Sequence, residues 1–309
     1  MPASPNKPLF DTVQLKAKWK FAAGISGIGV TAVLLTQLDK IILSKILSLK
    51  EFGYYCIATT LGLVIYQLIM PLSQSYFPKF SELIAKGDIS ILKKTYHQGS
   101  QLLSIIVLPV AFMLCFFSKE IISIWLKDKV IVDNIWLVVS IYSIGTAFNG
   151  LVNMPFMLSL SYEKPKIFFY ANLFLSLLMI PMVFVGAIYF GTVGAASGWT
   201  ILNIIYIIIM PYIIHRQMLQ GELKKWYWQD IIRPLLGALP IVLLARWFFS
   251  SQNLTMSGFN STLFLILIGL ISLIAATITA WPKKLLTDIY SKYFGIRSKR
   301  IDNSLNRKL

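Results

Sequence analysis

An adjacent acid and base interrupt the first apolar stretch of this 309-residue sequence. Asp39 and Lys40 follow an apolar run that begins at Phe21, so both charges are expected within a membrane-length helix or one turn inside its end. A charge near the middle of a bilayer costs about 2.5–3.5 kcal/mol on insertion scales, and a partner or a wet cavity must offset that cost. The pair therefore needs a structural or functional reason.

Two interpretations of the pair remain open from the residues alone. On a helical wheel, one side of this helix carries a polar stripe that only Val33 interrupts: Ser26, Gly29, Thr36, Gln37, Lys40 and Ser44. In the functional interpretation the stripe lines an aqueous path, and Lys40, with Asp39 and Gln37 beside it, offers a positive charge to an anionic substrate. In the structural interpretation Lys40 extends its ammonium to the headgroups and Asp39 pairs with it.

Composition excludes a soluble domain. Hydrophobic residues make up 56% of the chain, charged residues 14%, and the mean hydropathy is +0.69. These values predict an all-α polytopic membrane protein. The net charge of +16 lies in the loops between apolar stretches, so nucleic acid is not expected as a partner. The two cysteines, Cys56 and Cys115, offer neither a disulfide framework nor metal-ligand spacing, and no cofactor is expected.

Eight apolar stretches are long enough to span a bilayer. The predicted spans divide the chain into a cytoplasmic N-terminal segment 1–20, a transmembrane domain 21–281 and a basic cytoplasmic tail 282–309, with spans at about 21–43, 53–76, 100–118, 135–160, 167–190, 193–214, 234–250 and 259–281. Alternate connecting segments hold 22 of the 29 lysines and arginines. The positive-inside rule then predicts that both termini are cytoplasmic.

Two of the predicted cytoplasmic loops are expected to lie on the membrane surface and contact lipids. Residues 77–99 predict an amphipathic helix, a turn at Gly87 and Asp88, and a second amphipathic stretch. Residues 217–234 predict an interfacial belt of Trp226, Tyr227 and Trp228. His97 and His215 fall at helix ends near the cytoplasm, where we expect both histidines to be solvated.

The remaining polar residues within the spans favour structural roles. Interhelical hydrogen bonds are the favoured role, over ligand contacts, of four asparagines in the middle spans: Asn149, Asn153, Asn172 and Asn203. Arg246 lies near the outer end of the seventh span, where snorkelling is the favoured interpretation and a substrate-binding charge is the alternative. The sequence shows no arrangement of a nucleophile with its base, no paired acids and no phosphate-binding loop, so we do not expect an enzyme.

Six motifs in order resemble one family. They are TQLDKIILSKILSLKEFGYY, PLSQSYFPKFSELIAKGD, KEIISIWLKD, NGLVNMPFMLSLSYEKPK, GTVGAASGWTILNIIY and HRQMLQGELKKWYWQDIIRPLL. The sequence resembles the Wzx-type oligosaccharide-lipid flippases of the multidrug/oligosaccharidyl-lipid/polysaccharide (MOP) exporter superfamily, which transport O-antigen and other polysaccharide repeat units. The resemblance runs from about Trp19 to Ala245 and covers the family's C-terminal portion, the last eight of fourteen spans.

The resemblance implies a fold, a substrate and a partner. It implies a MATE-like transporter bundle with two extra helices, in the cytoplasmic (inner) membrane. It implies transport of an undecaprenyl-diphosphate-linked oligosaccharide for O-antigen, capsule or exopolysaccharide synthesis. A separate N-terminal half or a second copy would complete the cavity. The family's Asp-Lys pair matches Asp39 and Lys40, and proton or sodium coupling through Asp39 is a hypothesis, because it is the one acid expected at membrane depth.

Other functions stay open. The foremost alternative is an inactive truncated remnant or an assembly partner. A membrane glycosyl or phosphosugar transferase would require a polar catalytic loop with paired acids, which the sequence lacks. A drug exporter for cations would require deeply placed acids, and Lys40 would repel a cation beside Asp39.

Overall fold

A computed structural model describes residues 12–251 and 259–281 of the chain. Within these residues the structure consists of α-helices and one π-helix, without strands, and this confirms the predicted all-α polytopic class. The helices are α1 (Thr12–Ile46), α2 (Leu49–Leu63), α3 (Tyr66–Ala85), α4 (Ile89–Phe116), α5 (Ser118–Trp125), α6 (Lys129–Leu151), α7 (Asn153–Ser161), α8 (Lys166–Gln217), α9 (Leu223–Lys225), the π-helix (Trp226–Ile232), α10 (Arg233–Ser251) and α11 (Phe259–Ala280).

Short polar side chains start the helices that follow the turns. Ser48 and Glu51 form a capping box at α2, in which the Ser48 hydroxyl accepts from the Glu51 amide and the Glu51 carboxylate accepts from the Ser48 amide. Asp88 and Asp128 cap α4 and α6, where each carboxylate accepts from backbone amides of the first turn. Gly87 has φ +71°, a left-handed conformation that glycine adopts without a steric penalty. The predicted turn at Gly87 and Asp88 is thereby confirmed.

Seven helical stretches of the described residues are long and apolar enough to cross a membrane. They are Ser26–Ile46, Leu49–Ala85, Ile89–Phe116, Lys129–Ser161, Lys166–Gln217, Leu223–Ser250 and Ser261–Ala280. The apolar content and the helical geometry together make this a multi-pass membrane protein, because a helix satisfies all its backbone hydrogen bonds internally and needs none from lipid.

The fifth stretch, α8, consists of two antiparallel legs. At about 1.5 Å per residue its 52 residues would be far longer than a bilayer of about 30 Å. Gly191 interrupts the helix with φ 59° and ψ −141°. The two legs, 166–190 and 192–217, then fold back on each other, with the backbones in contact at Gly186 and Gly194. If the two legs are counted separately, the described residues contain eight apolar helical segments and not seven.

α6 lies at the centre of the packing. It contacts α2, α4, α5 and α8, whereas α1 packs on α8 and α2. A second group of helices forms where α10, α11 and the π-helix pack on α4. Tyr142 of α6 stacks on Trp199 of α8 with ring centroids 5.3 Å apart, and both side chains are fully buried. Gly145 of α6 permits this close approach, because a Cβ there would meet Trp199 and Thr200.

Two predicted segments fall largely outside the described residues. The basic tail 282–309 is one of them, and residues 1–11 of the predicted N-terminal segment are the other. Their predicted cytoplasmic location stays a prediction.

Candidate functional site

Asp39 and Tyr55 form a buried hydrogen bond between α1 and α2. Tyr55 Oη donates to Asp39 Oδ2 at 2.7 Å, and both residues are fully buried. The backbone amide of Lys40 donates to the other oxygen, Oδ1, at 2.8 Å. Short hydrogen bonds to a carboxylate are among the strongest in proteins and offset part of the free energy of burying it. Asp39 is therefore a fixed acid at the interface between the first two helices.

Lys40 extends from this acid to an accessible position. Its Nζ lies 3.9 Å from Asp39 Oδ1 and donates to the carbonyl oxygen of Thr36 at 3.3 Å, while 21% of the side chain is exposed. An ammonium has three donors, so capacity for a further acceptor remains. Lys40 is therefore close to Asp39 and still accessible, and both interpretations of the pair stay predictions.

The polar stripe of α1 lies on the face that is not packed against the rest of the chain. Ser26, Gly29, Gln37 and Ser44 are exposed, and Thr36 and Lys40 are half-buried. The opposite face packs on α8, where Gly27 contacts the Phe169 ring. The Thr36 and Ser44 hydroxyls bond carbonyls of their own helix, but Gln37 carries an exposed amide, and an amide loses hydrogen bonds against hydrocarbon. This face is therefore expected to meet water or another protein surface.

A cavity of about 270 Å³ lies beside this face, between α1, α3, α7 and α8. Six of its lining residues carry a hydroxyl or amide group: Thr36, Tyr66, Asn149, Asn153, Asn172 and Tyr206. Thr36, which belongs to the α1 stripe, and Val33, which interrupts the stripe, both line the cavity. The Lys40 ammonium is bonded to the backbone carbonyl of Thr36, one of the residues that line this cavity. The volume suits part of a large ligand, below the range of about 300–1,000 Å³ typical of whole-ligand pockets.

The asparagines divide between structural bonding and the cavity. Tyr66 Oη donates to Asn149 Oδ1 at 2.6 Å, and Asn149 Nδ2 donates to Asn203 Oδ1 at 2.7 Å. These bonds join α3, α6 and α8 and confirm the favoured interhelical role for this pair. Asn153 donates to the carbonyl of Gly150 at 3.1 Å. Asn172 lines the cavity, and its side chain makes no hydrogen bond to any other residue that the structure describes.

Arg246 lies in the other group of helices. It forms an ion pair with Glu120, and its guanidinium stands 5.5 Å from the centroid of the Phe117 ring and 5.9 Å from that of Phe249. α10, which carries Arg246, packs on α4, α11 and the π-helix, whereas Asp39, Lys40 and Gln37 are on α1. The structure therefore brings Asp39 and Lys40 together on α1, one turn from the cavity-lining Thr36, and places Arg246 elsewhere, beside an acid of its own.

A second cluster of charged groups was missed by sequence reasoning. His97 Nδ1 lies 2.5 Å from Asp230 Oδ2, and His97 Nε2 lies 3.1 Å from Glu222 Oε2. Gln101 Nε2 donates to the other oxygen of Asp230 at 3.0 Å. An unprotonated imidazole nitrogen and an ionised carboxylate are both acceptors, so the two contacts are hydrogen bonds only when the three groups share two protons. This triad connects α4 to the π-helix and to the turn before α9.

Glu222 carries the accessible end of the triad. Burial by itself would raise the pKa of its carboxyl group, but the hydrogen bonds from Lys93 and His97 and the charge of Lys225 act in the opposite direction. Together they lower the pKa of Glu222 from 4.5 to about 2. Since a depressed carboxyl pKa stabilises the fold only where the group is ionised, this contribution is present above pH about 4.5 and is lost as the pH falls towards 2.

Three predictions from the sequence are corrected here. His97 is 4% exposed and His215 is 1% exposed, so neither histidine is solvated. Trp226 is fully buried and donates to the Ser100 hydroxyl at 3.2 Å, so it belongs to the core and not to an interfacial belt. Asp230 is a second fully buried acid in a spanning-length helical stretch, so Asp39 is not alone. The signal available in sequence was Trp226, an aromatic residue four positions before Asp230 and therefore on the same face of a helix.

The described residues hold no group of three or more histidine, cysteine, aspartate or glutamate side chains placed to bind a metal ion. Both described cysteines are free thiols. The chemistry that the α1 site can supply is electrostatic: a positive charge, a fixed acid and uncharged hydrogen-bonding groups around a cavity.

Comparison with known proteins finds one family model and two curated proteins that are similar to this chain. A family model described as polysaccharide biosynthesis protein matches residues 3–132. The lipopolysaccharide biosynthesis protein WzxC of Escherichia coli (strain K12) is 21% identical over 237 residues, which cover 76% of this chain and 47% of WzxC. A Shigella flexneri protein named "Putative O-antigen transporter" is 20% identical over 187 residues, which cover 60% of this chain and 44% of that protein.

The chain spans about half the length of the curated relatives it matches. The family match includes α1 to α5, and with them Asp39, Lys40 and Tyr55. Together, the matches support the Wzx-type polysaccharide flippase family and confirm the resemblance that the sequence motifs predicted.

Proposed function

We propose that this relative of the Wzx-type polysaccharide flippases forms part of a transporter that moves a lipid-linked oligosaccharide repeat unit across the cytoplasmic membrane. The proposed substrate is an undecaprenyl-diphosphate-linked glycan, which travels from the inner to the outer leaflet. The proposed role is non-enzymatic. Ionised diphosphate and sugar hydroxyls cannot enter hydrocarbon without compensating partners, so the protein must supply them.

One observation carries the proposal: an accessible lysine lies beside a buried acid and one helical turn from Thr36, which lines a cavity. Asp39 is fixed by Tyr55 at 2.7 Å, and the Lys40 ammonium beside it retains 21% exposure of its side chain. A lysine is a compact point charge that pairs readily with phosphate oxygens. Asp39 keeps the ammonium in position when no substrate is present, and a diphosphate would compete for it.

The cavity supplies a second kind of contact. Asn172 and Asn153 present amides to it, and Tyr66 and Tyr206 contribute aromatic rings and hydroxyls. Amides bond sugar hydroxyls, and aromatic rings pack on the apolar faces of sugars. We therefore assign the diphosphate to Lys40 and the first sugar of the glycan to the cavity.

The exposed polar face of α1 favours a second protein body that would form the other wall of the substrate path. Six polar or small residues of this face, including Gln37, are exposed or half-buried in the described chain. Such a face is stable in a membrane only against water or protein. We propose that a separate N-terminal half or a second copy of this chain faces α1 and encloses the substrate path, and that the two bodies rock about that path.

The test is complementation in a strain that lacks its own repeat-unit flippase. Surface polysaccharide is measured with this chain alone and with a co-expressed N-terminal half. We expect Lys40→Ala to reduce surface polysaccharide at least about tenfold, since one charged hydrogen bond contributes about 1.5–3 kcal/mol. Lys45→Ala is the matched control, because Lys45 is an exposed lysine later on the same helix.

The outcomes separate the alternatives. Rescue by the chain alone indicates a self-associating transporter, and rescue only with the added half indicates a two-chain transporter. Failure of both arrangements, with the protein shown in the membrane and a strain of matching sugar composition, supports an inactive remnant. Normal transport by Lys40→Ala would remove Lys40 from the proposed site.

A further inference from the structure

A groove of about 420 Å³ opens at the end of the bundle where α4 begins. Its walls come from α4, α9, the π-helix and α10, and four basic side chains line it: Lys93, Lys94, Lys225 and Arg233. We propose that this basic groove binds the phosphate group of an anionic phospholipid headgroup. The groove is separate from the cavity beside α1, and the inference does not depend on the transport function proposed above.

Two of the four cations that line the basic groove have no acidic partner in the described structure. Glu222 is the one carboxylate among its lining residues, and it pairs with Lys93 at 2.9 Å and with Lys225 at 3.5 Å. Asp230, buried below, is bonded to His97 and Gln101. Within the part of the chain that the structure describes, Lys94 and Arg233 have no acidic partner within 4.0 Å.

The two unpaired cations are suited to a phosphate. Lys94 comes from the first turns of α4, and Arg233 is the first residue of α10, which packs on α4. A guanidinium offers a planar pair of donors that matches two phosphate oxygens, and an ammonium adds a point charge. The amides of Gln98 and Gln229 also line the groove and can bond the hydroxyls of a polyol headgroup.

The surroundings of the groove distinguish a lipid from a free anion. Ile91 lies three residues before Lys94 and is 46% exposed, and Leu236 lies three residues after Arg233 and is 54% exposed. Residues three apart share a helix face, so each cation has an exposed apolar neighbour on its own side. Trp228, in the π-helix, is 52% exposed, as is common for tryptophans at headgroup level. A lipid uses both features, because its phosphate meets the cations while its acyl chains cover the apolar residues.

The experiment measures lipid retention by the purified full-length chain. Protein in a neutral detergent is mixed with phosphatidylglycerol or with phosphatidylcholine, and bound lipid is counted by native mass spectrometry. We expect tighter retention of phosphatidylglycerol and a loss of about tenfold or more in the variant Lys94→Gln/Arg233→Gln. That loss corresponds to removing one charged hydrogen bond or more.

The matched control is Lys79→Gln/Lys86→Gln. It removes the same charge from the same end of the bundle, but both lysines are exposed and pair with Glu82, outside the basic groove. We expect this control to retain phosphatidylglycerol. The conservative exchange Lys94→Arg/Arg233→Lys should retain it as well. Lys94→Gln alone, at an exposed position, serves if the double variant does not fold.

Three results would overturn the inference. Equal losses in the groove variant and in the control would mean diffuse surface charge. Equal retention of phosphatidylcholine would mean that the anionic headgroup is not recognised. Binding of inorganic phosphate that depends on Lys94 and Arg233, without any preference among lipids, would mean a site for a free anion. None of these readouts involves transport, so failure here leaves the proposed function untouched.

Discussion

His97 illustrates how a single side chain connects distant parts of this chain. Its ring lies between Asp230 and Glu222, which are 133 and 125 residues further along. Tyr96 and His215 pack edge-on at a centroid distance of 5.5 Å beside it. Among the buried polar atoms, Tyr96 Oη and His215 Nε2 have no hydrogen-bond partner in the described structure. The histidine triad is therefore the best-bonded polar group in an otherwise sparingly bonded region.

We predict that His97→Gln destabilises the fold by about 1–3 kcal/mol, because it removes the imidazole that is hydrogen-bonded to the buried Asp230. The double variant His97→Gln/Asp230→Asn should lose less than the two single variants together, since the bond between the two side chains is lost only once. Thermal unfolding in detergent measures both, together with Asp230→Asn for a complete cycle. Additive losses would show that the two residues do not interact.

The same reasoning separates the two acids of the membrane-spanning stretches. Asp39 has a tyrosine and a lysine as partners, and Asp230 has a histidine and a glutamine. The partner of Asp39 is accessible, whereas His97 is 4% exposed. Lys40 is thus accessible from outside the protein, as the proposed function requires, and the histidine triad is suited to holding α4 against the π-helix.

At the scale of elements, the π-helix is the feature that gathers the second cluster. Its wider turn places Trp226, Asp230 and Ile231 on the buried side, while Trp228 remains exposed. π-helical turns are rare and often occur at functional sites. Here the π-helix contributes Gln229 to the basic groove and Asp230 to the histidine triad.

The hairpin within α8 depends on backbone contact between two glycines. We predict that Gly194→Ala destabilises the protein by about 1–3 kcal/mol, because the new Cβ would clash with the backbone of Gly186. Gly269→Ala in α11 is the control, since a Cβ there meets nothing within 4 Å. We expect the control to be neutral or slightly stabilising.

The measurement for this pair is the unfolding midpoint and the yield of monodisperse protein in detergent. If Gly194→Ala matched Gly269→Ala, the two legs of α8 would not pack as closely as the structure shows. A loss in both variants would point to a general intolerance of alanine in these helices.

At the scale of the whole molecule, charge distribution predicts the orientation. Lys86 and Lys127 are exposed lysines in turns, after α3 and before α6 respectively. The helices between them cross the bundle once, so the two turns are expected on opposite sides of the membrane. The positive-inside rule predicts Lys86 in the cytoplasm and Lys127 outside.

We predict that a membrane-impermeant maleimide labels Lys127→Cys in intact cells and labels Lys86→Cys only after lysis. The background is a chain with Cys56 and Cys115 replaced by serine, because both thiols are free. Labelling of both variants after lysis checks that each position is reactive. The reverse pattern would invert the topology, with both termini then outside.

Local pattern determined much of this protein. Hydropathy predicted the helical class, the Gly87 turn followed from its residue types, and the Asp39–Lys40 motif marked a location that the structure joins to Tyr55 and to a cavity. Runs of apolar residues and turn residues act within a few positions, so they can be read without knowing the fold.

Only the tertiary structure decided which helices meet. The sequence favoured solvated histidines and an interfacial Trp226, but α4 packs on the π-helix and encloses both. The tertiary structure also places Arg246 beside Glu120 and Asn149 against Asn203. Such contacts join residues from 54 to 133 positions apart, and their geometry depends on crossing angles and on glycine contacts summed over all the helices. No local pattern encodes that sum, which is the physical reason why the partner of each buried polar group became known only from the packed structure.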